Sequence, residues 1–175
     1  MSKGHVYWIT GLSGSGKSTL AHALHGELCK HGHKVLMLDG DVIRDLMMEE
    51  SLFDRESRLK IAKFNARLCR FLAEQGISVV CATISLFHDV QDWNRQHIQH
   101  YTEVFLNTPL ELLKKRDSKG IYTKAQSGEM KDVVGVNIPA EWPHAPEFTF
   151  YADGSHTPEQ MVAIILQPKT KATMS

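Results

Sequence analysis

The chain has no excess of charge of either sign: its 175 residues set 20 Lys and Arg against 20 Asp and Glu, a formal net charge of zero. That excludes the broad positive field that draws a protein to nucleic acid or to an anionic membrane, so any bound anion has to be held locally. Long apolar runs are missing as well, and none approaches the ~20 residues that span a bilayer. The opening "MSKGHVYW" lacks the charged, apolar and small-residue regions of a signal peptide. The expectation is a cytoplasmic protein whose partners include neither nucleic acid nor membrane. Cysteine is scarce. Cys29, Cys69 and Cys81 are odd in number, widely spaced and set among apolar neighbours, which predicts small core residues in a reducing compartment. Histidine is not scarce, but pairs such as His22/His25 and His97/His100 lack a Cys or Glu partner at ligand spacing. They are expected on the surface.

What the chain does have is alternation. A hydrophobic share of 42% is enough for one buried core and the length is short for two, so residues 1–175 read as one domain. Near-continuous apolar runs at 5–10, 34–39, 77–84, 102–107 and 147–152 predict five strands covered on both faces, as in a parallel sheet. Leu20, Leu24 and Leu28 share one face of a helix over 18–31 that stops at Gly32. Ile61, Phe64, Leu68 and Phe71 or Leu72 share a face of another over 58–75 that stops at Gly76. "TPLE" at 108–111 and "TPEQ" at 157–160 each offer a Thr cap, a first-turn Pro and an acid or amide, so two further helices are expected there. Strand alternating with helix predicts an α/β fold. Residues 117–146, rich in Gly, Lys and Pro, break the pattern, and a loop of that length in a compact domain reads as a lid.

"GLSGSGKST" at 11–19 lies between the first strand and the first helix. Gly11, Gly16, Lys17 and Ser18 fit G-x-x-x-x-G-K-[ST], and the match sits where the mechanism needs it. Glycines let the backbone wrap closely and aim N–H groups at phosphate, Lys17 reaches the β- and γ-phosphates, and Ser18 supplies an oxygen ligand to Mg²⁺. Ser13 and Ser15 read as small fillers. The second strand runs into "LDGDVIR", bringing Asp39, Asp41 and Arg44 to the carboxyl end of the sheet, where open α/β folds bind ligands. Two carboxylates beside a phosphate loop can serve Mg²⁺ and direct an attacking hydroxyl, while the arginine can clamp an acceptor's anion. Asp41 could equally cap a helix beginning at Val42. No N-K-x-D base-reading motif occurs, which argues against a GTP-dependent switch; a catalytically silent nucleotide-binding protein is the other alternative.

Together, "GLSGSGKST", "LDGDVIR", "ATIS", "YTEVFLNTPLELLKKRDSKGIYTKA", "SGEMKDVVGV" and the two prolines Pro143 and Pro146 resemble the adenylylsulfate kinases almost end to end. The resemblance implies a P-loop NTPase fold, a three-layer α/β/α arrangement with a five-stranded parallel sheet and a mobile lid, a homodimer, and transfer of phosphate from Mg·ATP to the 3′-hydroxyl of a small nucleotide acceptor, adenylylsulfate. On this resemblance Gly11, Leu12, Ser13, Gly14, Ser15, Gly16, Lys17, Ser18 and Thr19 hold the ATP phosphates. Asp41 orients the acceptor hydroxyl or takes its proton, and Asp39 supports the metal or that aspartate. Arg44 and Arg58 meet the acceptor's acidic groups, Phe53 stacks on its base, Ile84 and Ser85 line its pocket, and Lys119 reaches in from the lid. Arg116 and Asp117 lie in "RDSKGIY", where the family contacts the donor nucleotide.

Departures from the family pattern fall mainly on the acceptor side. Where the family continues from the position of Arg58 into an Asn and an Arg-Arg pair, this chain has Ile61, Lys63 and Phe64. Where its lid sets a second aromatic against adenine, Val133 and Val134 stand, and "ISLF" replaces Ile-Ser-Pro. "WNR" at 93–95 is also foreign to the pattern. Stacking is worth about 1–3 kcal/mol per base, so the acceptor is expected to be able to differ. The related cytidine diphosphoramidate kinases of capsule biosynthesis supply the alternative, since a smaller pyrimidine needs less aromatic surface.

Overall fold

A computed structural model describes residues 2–47, 54–117, 120–151 and 153–167. In chain order the elements are β1 (Val6–Gly11), α1 (Lys17–Lys30), β2 (Val35–Asp39), α2 (Gly40–Leu46), α3 (Arg55–Glu74), β3 (Ser78–Thr83), α4 (His88–His97), β4 (Tyr101–Leu106), α5 (Leu110–Arg116), α6 (Ile121–Gln126), β5 (Phe148–Phe150) and α7 (Pro158–Ile165). All five strands pair in parallel, in the order β2-β3-β1-β4-β5. Parallel neighbours need crossovers, and the helices supply them. The chain leaves β1 towards β2 on one side and β3 towards β4 on the other, so the loops after the neighbouring strands β1 and β3 open side by side at the carboxyl edge, where a ligand fits, with the end of β2 one strand further along.

Helices cover both faces of the sheet. On one, Leu20, Leu24 and Leu28 of α1 and Met161, Val162 and Ile165 of α7 pack on Ile9, Val80, Val104 and Phe150. On the other, Ala62, Ala66, Cys69 and Ala73 of α3 and Val90 of α4 cover Val6, Trp8, Val79 and Cys81. Small residues on α3 let the helix approach the wide indole of Trp8, which is fully buried. Each such large side chain contributes about 1.5–3 kcal/mol on burial, which makes these two layers the main stabilising mass. No described helix is long and apolar enough to cross a membrane.

Several local details differ from the pattern read in the sequence. Thr157 does cap α7 in a full capping box, its hydroxyl taking the Gln160 N–H. Thr108 does not cap α5; Pro109 occupies that position and the buried Thr108 hydroxyl has no partner among the described residues. Cys69 and Cys81 are buried, whereas Cys29 is exposed at the end of α1, with its sulfur 3.7 Å from the His25 Nε2 one turn earlier. The helix α4 carried no strong apolar period because its buried face uses Gln91 and Asn94 beside Val90.

The "WNR" stretch finds its reason in α4. Arg95 holds the buried Glu103 of β4 at 2.7 Å, Glu147 at 2.7 Å and the Ala145 carbonyl at 2.5 Å, and Glu147 takes the Glu103 N–H at 2.6 Å. Burial pushes the Glu103 carboxyl up, and the Arg95 guanidinium only partly offsets it. Arg95 thereby fixes where the chain returns from residues 117–146 to the sheet.

That segment is not an open loop. Tyr122, Ala125, Val133, Val134 and Ile138 are buried against Leu12, Leu86, Phe105 and Leu113 as a third apolar cluster. Asp117 orders it: its carboxylate accepts the Tyr122 and Thr123 N–H groups and the Thr123 hydroxyl at the start of α6. Slight desolvation pushes that carboxyl up, but the Thr123 and Tyr122 donors outweigh it and hold it below the usual range.

Candidate active site

The turn after β1 is built for close approach. A Cβ at Gly11 would come within 2.7 Å of the Leu106 carbonyl of the neighbouring strand. Gly16, at φ 94°, takes a left-handed conformation that side chains resist and starts α1 without a side-chain cap. The first-turn N–H groups of α1 therefore keep their outward face, and the partial positive charge of the helix end points the same way. Leu12 is buried and its carbonyl accepts the Lys17 ammonium at 2.7 Å, folding the lysine back over the loop. Ser15 is also buried, its hydroxyl without a partner among the described residues.

A cleft of ≈390 Å³ opens on this turn, within the range for small-ligand sites. Its lining takes Ser13, Gly14, Gly16, Lys17, Ser18 and Thr19 from the turn and the start of α1, and Asp39, Gly40, Asp41 and Arg44 from the β2–α2 junction, with Arg58, Ile61 and Ala62 of α3. Ala82, Thr83, Ile84, Ser85 and Phe87 from the end of β3 and the loop after it, with Ile121 and Val134 from the segment 117–146, complete it.

Asp39 does two things at once. Its Oδ1 accepts the Asp41 N–H at 2.9 Å, capping α2, and its Oδ2 accepts the Ser18 hydroxyl at 2.8 Å. The helix begins at Gly40, so the capping residue is Asp39, and Asp41 stands in the first turn with its carboxylate on the cleft. Ser18 and Asp39 together form a hard-oxygen pair of the kind Mg²⁺ takes. Among the described residues there is no cluster of three His, Cys, Asp or Glu that could hold a metal ion.

Arg58 is half-buried, and its Nη2 donates to the Asp132 carbonyl at 2.9 Å. Desolvation and then the neighbouring Arg44 lower its affinity for its proton, while Asp132, Asp41 and Asp54 raise it. Lys17, Arg44 and Arg58 bring three cations to a cleft that also holds the Asp39 and Asp41 carboxylates, a local concentration of charge in a chain that is neutral overall. Thr83 and Ser85 share a hydroxyl hydrogen bond of 2.7 Å, and the Thr10 hydroxyl holds the Ile84 carbonyl at 2.6 Å, fixing this part of the lining.

The site residues expected from sequence thus converge, with exceptions. Gly11, Leu12 and Ser15 shape the turn from behind and do not line the cleft. Arg116 ends α5 on the surface, away from the lining. Phe53 and Lys119 lie outside the described residues. Two contributors escaped the sequence reading. Phe87, 3% exposed, gives the lining an aromatic; its place just past the third strand was the available signal. Tyr122 donates its hydroxyl to the Ser13 carbonyl at 2.8 Å, tying α6 to the turn, and burial, followed by the Asp117 carboxylate, pushes its phenol up to about 12. Tyr122 closes the "RDSKGIY" stretch, which was the available signal, but its partner at Ser13 lies far off in the chain.

The family model described as adenylylsulphate kinase matches residues 3–151. The cytidine diphosphoramidate kinase of Campylobacter jejuni is 38% identical over 141 residues, covering 81% of this chain and 82% of its own. The adenylyl-sulfate kinase of Rippkaea orientalis is 36% identical over 165 residues, covering 94% and 91%. Among solved structures, the Mycobacterium tuberculosis APS kinase in complex with AMPPNP and APS superposes with a TM-score of 0.86 at 28% identity, covering 94% of this chain and 96% of that one. The five-stranded parallel sheet with its flanking helices agrees with these matches: the chain belongs to the adenylylsulphate kinase family, and it is a phosphotransferase acting on an alcohol group.

Proposed function

We propose that this protein transfers the γ-phosphoryl group of Mg·ATP to a ribose-type hydroxyl of a small nucleotide bearing a second acidic group, with adenylylsulfate the acceptor by the pattern of most of its relatives. One observation carries the reading: the phosphate turn and the Asp39, Asp41, Arg44 and Arg58 group line a single cleft. Ser13, Gly14, Gly16, Lys17, Ser18 and Thr19 grip the triphosphate, with Lys17 over its terminal groups and Gly11, Leu12 and Ser15 shaping the turn behind them. Asp41 directs the acceptor hydroxyl and takes its proton as the oxygen bonds to the γ-phosphorus and the bond to ADP breaks. Arg44 and Arg58 hold the acceptor's acidic groups, Ile84, Ser85 and Phe87 its nucleoside, and Phe53, Lys119 and Arg116 are assigned to the acceptor, the lid and the donor side by family resemblance. Ser18 and Asp39 are the residues that would hold Mg²⁺, which when bound offsets charge on the phosphoryl oxygens. Because the transition state is loose, positioning carries more of the rate than base strength.

A second acceptor, cytidine diphosphoramidate, is favoured by a specific feature. Ile61 and Val134 line the cleft where the family has a polar side chain and an aromatic, and the relative at 38% identity uses that substrate by name. Steady-state competition between adenylylsulfate and cytidine diphosphoramidate decides: the kcat/KM ratio assigns the acceptor, and ATP turnover indifferent to both contradicts the proposal.

The same reading takes residues 1–175 as one catalytic unit with 117–146 as its lid, in the cytoplasm where ATP is supplied. It includes a homodimer. Phe64 and Phe71, seven apart on α3, expose 43% and 58% of their surface on one helical face, and light scattering of wild type against Phe71→Glu tests whether that face is shared.

A further inference from the structure

We infer that Asn137, outside the cleft, is a positioning residue that sets the aim of Arg58 through the peptide joining Asp132 to Val133. The inference rests on the reading above that Arg58 holds an acidic group of the acceptor.

The geometry is a relay through one planar unit. The Asn137 Oδ1 accepts the Val133 N–H at 2.7 Å, and the carbonyl of the same peptide, that of Asp132, accepts from Arg58 Nη2 at 2.9 Å. In a trans peptide the N–H and C=O point in opposite directions and cannot turn independently. Fixing the N–H therefore fixes the carbonyl. The turn that follows is held by three further bonds, the N–H groups of Val136, Asn137 and Ile138 all converging on the Val133 carbonyl at 3.0–3.1 Å.

Conformation points the same way. Asp132 has φ 63°, and among the described residues no other non-glycine has a positive φ. Such a conformation disfavours side chains and persists where surrounding contacts over-determine it. Here those contacts are the Asn137 amide on one side and Arg58 on the other, with the buried Val133 and Val134 anchoring the turn. Residues 117–146 thus reach the acceptor side of the cleft by the orientation they impose on an arginine of α3, as well as by lining it. Asn137 itself is exposed and touches nothing in the cleft.

The test is a double-mutant cycle in acceptor KM. Losing the neutral hydrogen bond between Asn137 and the Val133 N–H corresponds to about a two- to tenfold change. Asn137→Ala should raise acceptor KM by that factor with kcat and ATP KM unchanged, Asn137→Asp, which keeps an acceptor oxygen, should restore it, and in an Arg58→Ala background Asn137→Ala should add nothing. Equal shifts in ATP and acceptor KM, an effect that persists without Arg58, or no effect of Asn137→Ala while Arg58→Ala is impaired overturns the inference alone. An unchanged acceptor KM in Arg58→Ala overturns the assigned role of Arg58 and the inference with it.

Discussion

Asp39 joins a structural duty to a chemical one, and two substitutions separate them. Asp39→Ala removes the cap of α2, worth about 1 kcal/mol, and the bond to the Ser18 hydroxyl, worth about 0.5–1.5 kcal/mol net for a typical pair. The expected loss is about 2 kcal/mol, or a fall in Tm of about 4–8 °C for a chain of this size. Asn caps as well as Asp does, so Asp39→Asn should lose under about 0.5 kcal/mol. Its amide nevertheless brings no negative charge to a cation. Kinase activity should therefore fall by orders of magnitude in Asp39→Asn, or need much more Mg²⁺ for half-maximal rate. The assays are thermal melts and an Mg²⁺ titration of ADP release. If Asp39→Asn melts with Asp39→Ala, the 2.9 Å cap is not what stabilises this junction. If Asp39→Asn keeps the wild-type Mg²⁺ dependence, the carboxylate is not part of the metal site.

Lys17→Ala should leave the fold intact by circular dichroism and lower kcat by orders of magnitude, since it removes the cation over the phosphate turn; a near-normal rate would remove Lys17 from the chemistry. Asn65, 1% exposed on α3, has neither its amide nitrogen nor its oxygen paired among the described residues. Asn65→Leu should therefore raise stability by about 1–2 kcal/mol in denaturant titration, and a loss would mean that the amide is satisfied. The Tyr122 phenol, raised by burial to about 12, favours the folded state fully below pH 10, and that contribution disappears as pH rises through 12. Wild type should lose stability between pH 10 and 12 more steeply than Tyr122→Phe, and parallel profiles would contradict the assignment.

The sheet was legible because five apolar runs without alternation have few alternatives to a covered parallel sheet, and the phosphate turn because its spacing carries its own mechanism. Asp39 and Asp41 were placed at the right edge, but which one caps α2 depended on a two-residue shift of the helix start, from Val42 to Gly40. Local sequence cannot fix that. The segment 117–146 read as a loop because its order comes from contacts distant in the chain: Tyr122 to Ser13, Arg58 to Asp132, Glu141 to Arg55 and His88. None leaves a periodic trace. Cys29 misled for a simpler reason, since apolar neighbours in sequence face another side of the same helix.

The central claim is that phosphate gripped by the turn after β1 is delivered to a hydroxyl of a nucleotide held in the same cleft. Mass analysis of the acceptor after incubation with Mg·ATP, alongside ADP release, tests it most directly. The account predicts an acceptor heavier by one phosphoryl group, in step with ADP, and no product with Lys17→Ala. ADP formed at the same rate with and without a nucleotide acceptor, and no phosphorylated product, would contradict it.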